Sequence, residues 1–332
     1  MVQSALDVAA IGNAIVDVLA HTEDSLLARL GVTKGVMTLV DADQAEEIYA
    51  ALPPAVECSG GSAANTAAGI ASLGGKAAFI GKVKADQLGA VFRHDLNSLG
   101  VAFTTSAAED GPSTARCLVM VTPDAQRTMQ TYLGAAVELS PADVDAAQIE
   151  SAKVAYLEGY LWDPPAAKQA MLKAAELAHQ AGRKVALSLS DPFCVGRHRD
   201  EFIKLIDGHV DILFANEAEI AALYQCDFDQ AISQVRGAVE IAAVTRGALG
   251  SVALKGDLQV SIAAEKIERL VDTTGAGDLY AAGFLFGWTR NLDLGDCARL
   301  GGICAAEVIS HMGPRPETNL ARMSAVAQLL QA

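Results

Sequence analysis

Short apolar runs of strand length alternate with helix-like stretches through most of this chain, and that alternation restricts the fold more than any other feature. Val8–Ile11, Ala78–Gly81, Val154–Leu157, Val185–Leu189, Val210–Phe214 and Ile241–Thr245 are the apolar runs, and Asp86–Leu99, Pro165–Ala181 and Asp229–Val235 are helical patterns between them. Strands separated by helices pair in parallel, with helices covering both faces of the sheet. After Thr245 the spacing tightens: Ser251–Leu254 and Leu258–Ile262 predict an antiparallel edge, and helices dominate from Gly277 onward. Two stretches break the rhythm, Ile15–Val40 and Phe103–Leu133, with strand alternation and few helical signals. Within the second, Ala115–Val121 and Arg127–Tyr132 flank Thr122-Pro123-Asp124-Ala125-Gln126, which reads as a hairpin. The expectation is one α/β unit spanning 1–332, with lid segments at about 15–40 and 103–133 forming a small sheet.

Composition narrows the function. At 332 residues and 51% apolar, the chain can bury one large core. A formal net charge of -15 disfavours nucleic acid and anionic membranes as partners, since both need basic patches. Any phosphate must therefore be held by local amides, arginines and a metal. Cys58, Cys117, Cys194, Cys226, Cys297 and Cys304 are scattered without a C-x-x-C pair, the usage of reduced cytosolic thiols. No apolar run reaches transmembrane length and no basic-then-apolar leader opens the chain, so a cytoplasmic location is expected.

Four short motifs carry chemistry. In Asp272-Thr273-Thr274-Gly275-Ala276-Gly277-Asp278, small residues precede an amphipathic run, Leu279 to Arg290. Amides at such a helix start can close around an anion, with Asp278 held beside it as a base. The same run also fits a plain loop-to-helix junction with Asp278 as a first-turn acid. Gly60-Gly61-Ser62-Ala63-Ala64-Asn65 opens a second helix running to about Leu73. There Gly61 could offer its amide and Asn65 could bind a hydroxyl, or the segment is a packed small-residue helix with a serine cap. Gly12-Asn13-Ala14-Ile15-Val16-Asp17 follows the first strand, where ligands gather in parallel α/β folds. Asp17 is either a carboxylate for vicinal hydroxyls or a turn-stabilising acid. Asn216 and Glu219 share a face of a starting helix, as donors to water-bound Mg²⁺ or as a cap with first-turn acids. His198-Arg199-Asp200 is no kinase catalytic loop, because Leu205 stands where an Asn belongs and no D-F-G follows. Neither a G-x-x-x-x-G-K-[ST] loop nor a G-x-G-x-x-G after the first strand is present.

Taken together, the glycine pair with Asn65, the Asn216/Glu219 pair and the D-T-T-G-A-G-D run resemble the PfkB (ribokinase-like) carbohydrate and nucleoside kinases over nearly the whole chain. The resemblance implies a three-layer αβα fold with a mostly parallel central sheet and a β lid. It also implies that Asp278 deprotonates an acceptor alcohol, and that the amides of Gly275, Ala276 and Gly277 form an anion hole. Within the family, the adenosine kinases look nearest. Gly12-Asn13 with Asp17 resembles their opening motif, and Leu189-Ser190-Asp191-Pro192-Phe193 resembles their L-S-x-P-F segment. By that likeness Asn13, Asp17, Gly61 and Asn65 would contact the ribose, while Phe193 would stack on adenine. Arg127 would reach the phosphates. Asn216, Thr245, Arg246, Gly247, Gly275 and Gly277 would line the ATP site, with Mg²⁺ at Asn216 and Glu219. Asp191 is a departure, an acid beside a neutral base. The implied activity is ATP-dependent phosphorylation of a purine nucleoside by a monomer or homodimer, with K⁺ as an auxiliary cation as in many relatives. A sugar kinase of the same fold is the alternative.

Overall fold

A computed structural model describes residues 5–124 and 126–331. Its strands are β1 (Leu6–Ile11), β2 (Ile15–His21), β3 (Met37–Leu39), β4 (Val56–Gly60), β5 (Ala77–Ile80), β6 (Val101–Phe103), β7 (Ala115–Val121), β8 (Arg127–Tyr132), β9 (Ala152–Glu158), β10 (Lys184–Ser188), β11 (Ile212–Asn216), β12 (Ile241–Thr245), β13 (Ser251–Lys255) and β14 (Leu258–Ile262). Nine of them form one sheet in the order β14-β13-β12-β11-β10-β9-β1-β5-β6. All pairings within it are parallel except β12 with β13 and β13 with β14, the antiparallel edge expected from the close spacing.

Side chains alternate between two cores, as a period of two requires. Val8 and Ala10 of β1, with Val154 and Tyr156 of β9, pack beneath the helices Ser62–Ser72, Ala276–Trp288 and Leu294–Val308. Ala9 and Ile11, with Ala155 and Leu157, face the opposite layer, which contains Pro165–Gln180, Pro192–His209 and Phe228–Ala238. The helix expected over Asp86–Leu99 runs Gln87–Ser98, and Asp86 caps it by accepting from Gly89 N. The central strands read as continuous apolar runs because helices cover both faces.

The second sheet has the order β3-β8-β7-β2-β4. Its strands come from a wider span than the two expected stretches. Val56–Gly60 belongs to it, whereas Val101–Phe103 closes the far edge of the large sheet instead. The span 15–40 also holds a helix, Asp24–Leu30, ended by Gly31. A strand written Val-Glu-Cys-Ser-Gly carries little β signal by itself, and its partner β2 supplies the pairing. The expected hairpin of β7 and β8 forms, although Ala125 of its turn lies outside the described residues.

Chain order places the site. From β1 the chain steps to β5 and β6 on one side, and from β9 to β10, β11 and β12 on the other. The gap between the carboxyl ends of β1 and β9 is thus a topological switch point, where open α/β sheets bind ligands. β1 leads through Asn13 into the small sheet, and β4 returns from it through Gly61 into the helix Ser62–Ser72.

Candidate active site

Asp278 lies in the first turn of the helix Ala276–Trp288, with Gly275 as N-cap. The helix Ser62–Ser72 packs hard against it: a Cβ on Gly69 would come within 2.6 Å of Ala282 Cβ, so the close approach requires glycine. That contact brings Ser62 and Asn65 to the acid. Ser62 Oγ donates to Asp278 Oδ1 at 2.6 Å and Asn65 Nδ2 to Oδ2 at 2.8 Å. Burial raises the Asp278 carboxyl above its ordinary range, while those two donors and the Arg315 charge pull the other way. The Asn65 side-chain oxygen is enclosed and has no partner, an acceptor left open for a hydroxyl. The serine does not cap its helix. Gly61 does, with φ of +92°, and a Cβ there would meet the Asn13 carbonyl oxygen at 2.3 Å.

Asp17 projects from β2 between Cys58 on β4 and Cys117 on β7, its register partners. Its carboxylate lies against Gly60, and burial pushes its pKa up to about 6 despite Arg315 and Arg127. Apolar residues of β2, β7 and β8, namely Ile15, Leu19, Val119 and Met129, gather with Met312 into a separate cluster.

Glu158 escaped the sequence reading. It ends β9, is 1% exposed, and faces Asn13 across the switch point. Its Oε1 accepts from Asn13 Nδ2 at 2.7 Å and from Asn13 N at 3.3 Å, and its Oε2 from Ala63 N at 2.8 Å. One carboxylate therefore ties the first loop to the start of the second helix. Burial pushes its pKa up to about 7 against those hydrogen bonds. Asn13 is accordingly held by Glu158. The available signal was an acid directly after the apolar run Val154–Leu157.

The loop before Asp278 is also tied down. Asp272 accepts from Thr274 N at 3.0 Å, from Gly313 N at 2.9 Å and from the Arg127 guanidinium, which bonds Thr274 Oγ1 as well. Of the three expected anion-hole amides, Ala276 N–H donates to Thr273 O at 3.2 Å. Gly277 stands in the first turn, where N–H groups lack helical acceptors.

The remaining expected residues sit farther along the cleft. Asn216 and Glu219 form a reciprocal capping box: Asn216 Oδ1 accepts from Glu219 N at 2.9 Å, and Glu219 accepts from Asn216 N at 2.9 Å and Nδ2 at 2.6 Å. Of the two readings the pattern allowed, the cap is formed here. Burial, then the charges of Asp191 and Asp278, push Glu219 up to about 7. Among the described residues, no group of three or more His, Cys, Asp or Glu is arranged to hold a metal. Thr245 ends β12, Arg246 pairs with Glu217 at 3.1 Å over the Phe228 ring, and Gly247 starts a short 3₁₀ turn. Asp191 caps the helix Pro192–His209 by accepting from Cys194 N at 2.6 Å, which accounts for an acid at that position. Phe193, on the first turn of that helix, is 80% exposed.

Residues 26–320 match the pfkB family carbohydrate kinase profile. The chain belongs to the PfkB family. Its members are ATP-dependent phosphotransferases, and this PfkB chain aligns with solved structures along almost all its length. It is 51% identical to the adenosine kinase from Sinorhizobium meliloti, with a TM-score of 0.90 over 98% of this chain and 99% of that one. It is 49% identical to a probable sugar kinase protein from Rhizobium etli CFN 42, with a TM-score of 0.92 over 98% and 100%. Among curated PfkB relatives, the ATP-dependent ribose-1-phosphate kinase of Halopiger xanaduensis is 31% identical over 78% of this chain and 83% of its own. No helix of the described residues is long and apolar enough to cross a membrane.

Proposed function

We propose that this kinase transfers the γ-phosphoryl group of ATP to the primary 5′-hydroxyl of a purine nucleoside, adenosine foremost, giving AMP. The observation that carries the reading is the cluster around Asp278: a partly buried carboxylate at a helix start, steadied by Ser62 and Asn65, beside an Asn65 oxygen without a partner. Asp278 takes the proton of the acceptor hydroxyl as the new P–O bond forms. A carboxyl raised above its usual range by burial is a stronger base than a solvated one. Amides of this first turn, that of Gly277 among them, would stabilise charge on the transferring group. Asp17 and Asn65 suit the vicinal hydroxyls of a ribose. The small sheet serves as a lid that excludes water, with Arg127 as its bridge to the anion-hole loop.

Mg²⁺ fits this cleft as a guest of the ATP phosphates. Glu219, Asp191 and Asp278 put negative charge near one another, but no three-carboxylate cage exists among the described residues. Asn216 and Glu219 would hold the ion through water, and the ion would neutralise charge on the phosphates.

A sugar kinase is the second reading, favoured by one observation: Phe193, the ring expected to stack on adenine, is 80% exposed. Steady-state assays of ADP release with adenosine, guanosine, ribose, fructose and ribose-1-phosphate separate the two. Stacking of a base is worth about 1–3 kcal/mol, so adenosine should exceed free sugars by roughly tenfold or more in kcat/KM. A sugar or sugar phosphate turned over faster than every nucleoside overturns the nucleoside reading.

A further inference from the structure

The segment after the helix Leu294–Val308 runs back over the cleft. Gly313 donates to Asp272, Pro314 packs on Gly275, and Arg315 follows. Arg315 Nη2 donates to Ser59 O at 3.0 Å and to Ser59 Oγ at 3.1 Å. Ser59 is itself fixed, since its N and Oγ both donate to Asp95 Oδ2, at 2.7 and 2.6 Å. The Arg315 Nε and Nη1 are enclosed and have no hydrogen-bond partner. A guanidinium with two idle nitrogens out of water is a strongly unfavourable arrangement unless opposite charge lies close by.

That opposite charge comes first from Asp95, which also holds Ser59, and then from the acceptor site. Ser59 lies on β4 beside β2, which carries Asp17. The Asp17 carboxylate lies against Gly60, the residue after Ser59, and Pro314 packs on the loop that leads to Asp278. The Arg315 charge therefore acts on both acids as well as on Asp95, and on Asp17 ahead of that of Arg127. Apart from Arg127 on Asp17, the other groups felt by these two acids supply no positive charge. Asp278 meets Ser62 and Asn65 from one helix, and it interacts with Tyr156 and Glu158 of β9, Tyr160 beyond it, Glu219 and Asp17. Asp17 has Cys58 and Cys117 on the neighbouring strands, with Arg127 as its second cation.

We infer that Arg315 is a positioning residue for phosphoryl transfer: docked on Ser59, its buried charge holds Asp17 and Asp278 as a pair of carboxylates ready to bind and deprotonate the acceptor. This rests on the reading of Asp278 as the base. In this role Arg315 acts through the two acids. Without it, two like charges in a cleft of low dielectric give up one proton less readily.

The test uses Arg315→Gln and Arg315→Met as neutral variants and Arg315→Lys as the conservative one, each checked by circular dichroism. With the best acceptor of the panel, the acidic limb of kcat/KM should move up by about one pH unit in the neutral variants. The loss is then roughly tenfold at pH 6 and under about threefold at pH 8.5, and Arg315→Lys recovers most of it. In parallel, carbonyl-labelled aspartate NMR of the protein without substrates should show two carboxyls titrating at higher pH in the neutral variants. A uniform loss at every pH, or unmoved aspartate titrations, overturns the inference, as does a failure of both neutral variants to fold. If no nucleoside is phosphorylated, the proposed function fails by itself while the NMR titration still decides the role of Arg315.

Discussion

Replacing Glu158 with Gln isolates the electrostatics of the switch point. In the folded chain this carboxyl titrates near 7, because burial outweighs the donors Ala63 N, Asn13 Nδ2 and Asn13 N; in an unfolded chain it titrates near 4.5. Between those values the folded state holds the proton and the unfolded state does not, so folding is stabilised at low pH. That contribution is complete below about 4.5 and is lost as the pH rises through about 7. The gap corresponds to about 3 kcal/mol, with little screening for a side chain that is 1% exposed. Gln cannot ionise, and its amide meets the Ala63 N–H as the protonated acid does, so its fixed hydrogen-bond loss stays roughly constant with pH. The variant should therefore gain about 3 kcal/mol relative to wild type between pH 4.5 and pH 8. Urea unfolding of both proteins at the two pH values measures this, provided the m-values agree. A stability difference that stays flat, or that moves in favour of wild type as the pH rises, would refute the reasoning. The hydrogen bonds would then outweigh desolvation.

Asp278→Asn should keep the fold and bind nucleoside, yet lose about 10²–10⁴-fold in kcat, measured by single-turnover phosphoryl transfer. Near-normal turnover removes the acid from the mechanism. Gly61→Ala forces a Cβ onto the Asn13 carbonyl at a positive φ, so its thermal transition should fall well below that of Gly182→Ala. Gly182 also has positive φ, but nothing lies within 4 Å of the added carbon. Equal transitions would mean that the first loop yields easily. Amide exchange in the hairpin Ala115–Tyr132 should slow when nucleoside binds, and protection confined to the large sheet speaks against a moving lid.

The large sheet was legible because its strands are buried on both faces, so apolar runs such as Val154–Leu157 declare themselves without a partner. β4 was not, since its five residues become a strand only through pairing with β2. Asp278, Asn65 and Asp17 were readable from motifs near glycines. Asn216 and Glu219 satisfy two patterns at once, and spacing alone cannot separate a cap from a metal donor pair. Glu158 and Arg315 lay beyond reach for a different reason. Each acts on residues more than ninety positions away, and local sequence names no partner for either, although Glu158 does close an apolar run.

Asp272 is a three-way junction: the small-sheet strand β8 through Arg127, the loop before Asp278 through Thr274, and the C-terminal segment through Gly313 all end on one carboxylate. These parts are therefore not free to move one at a time. An anion that draws Arg127 toward itself takes charge away from Asp272, and the loop and the returning segment feel the loss together. The arrival of a phosphate would then register in three places through the reallocation of a single positive charge.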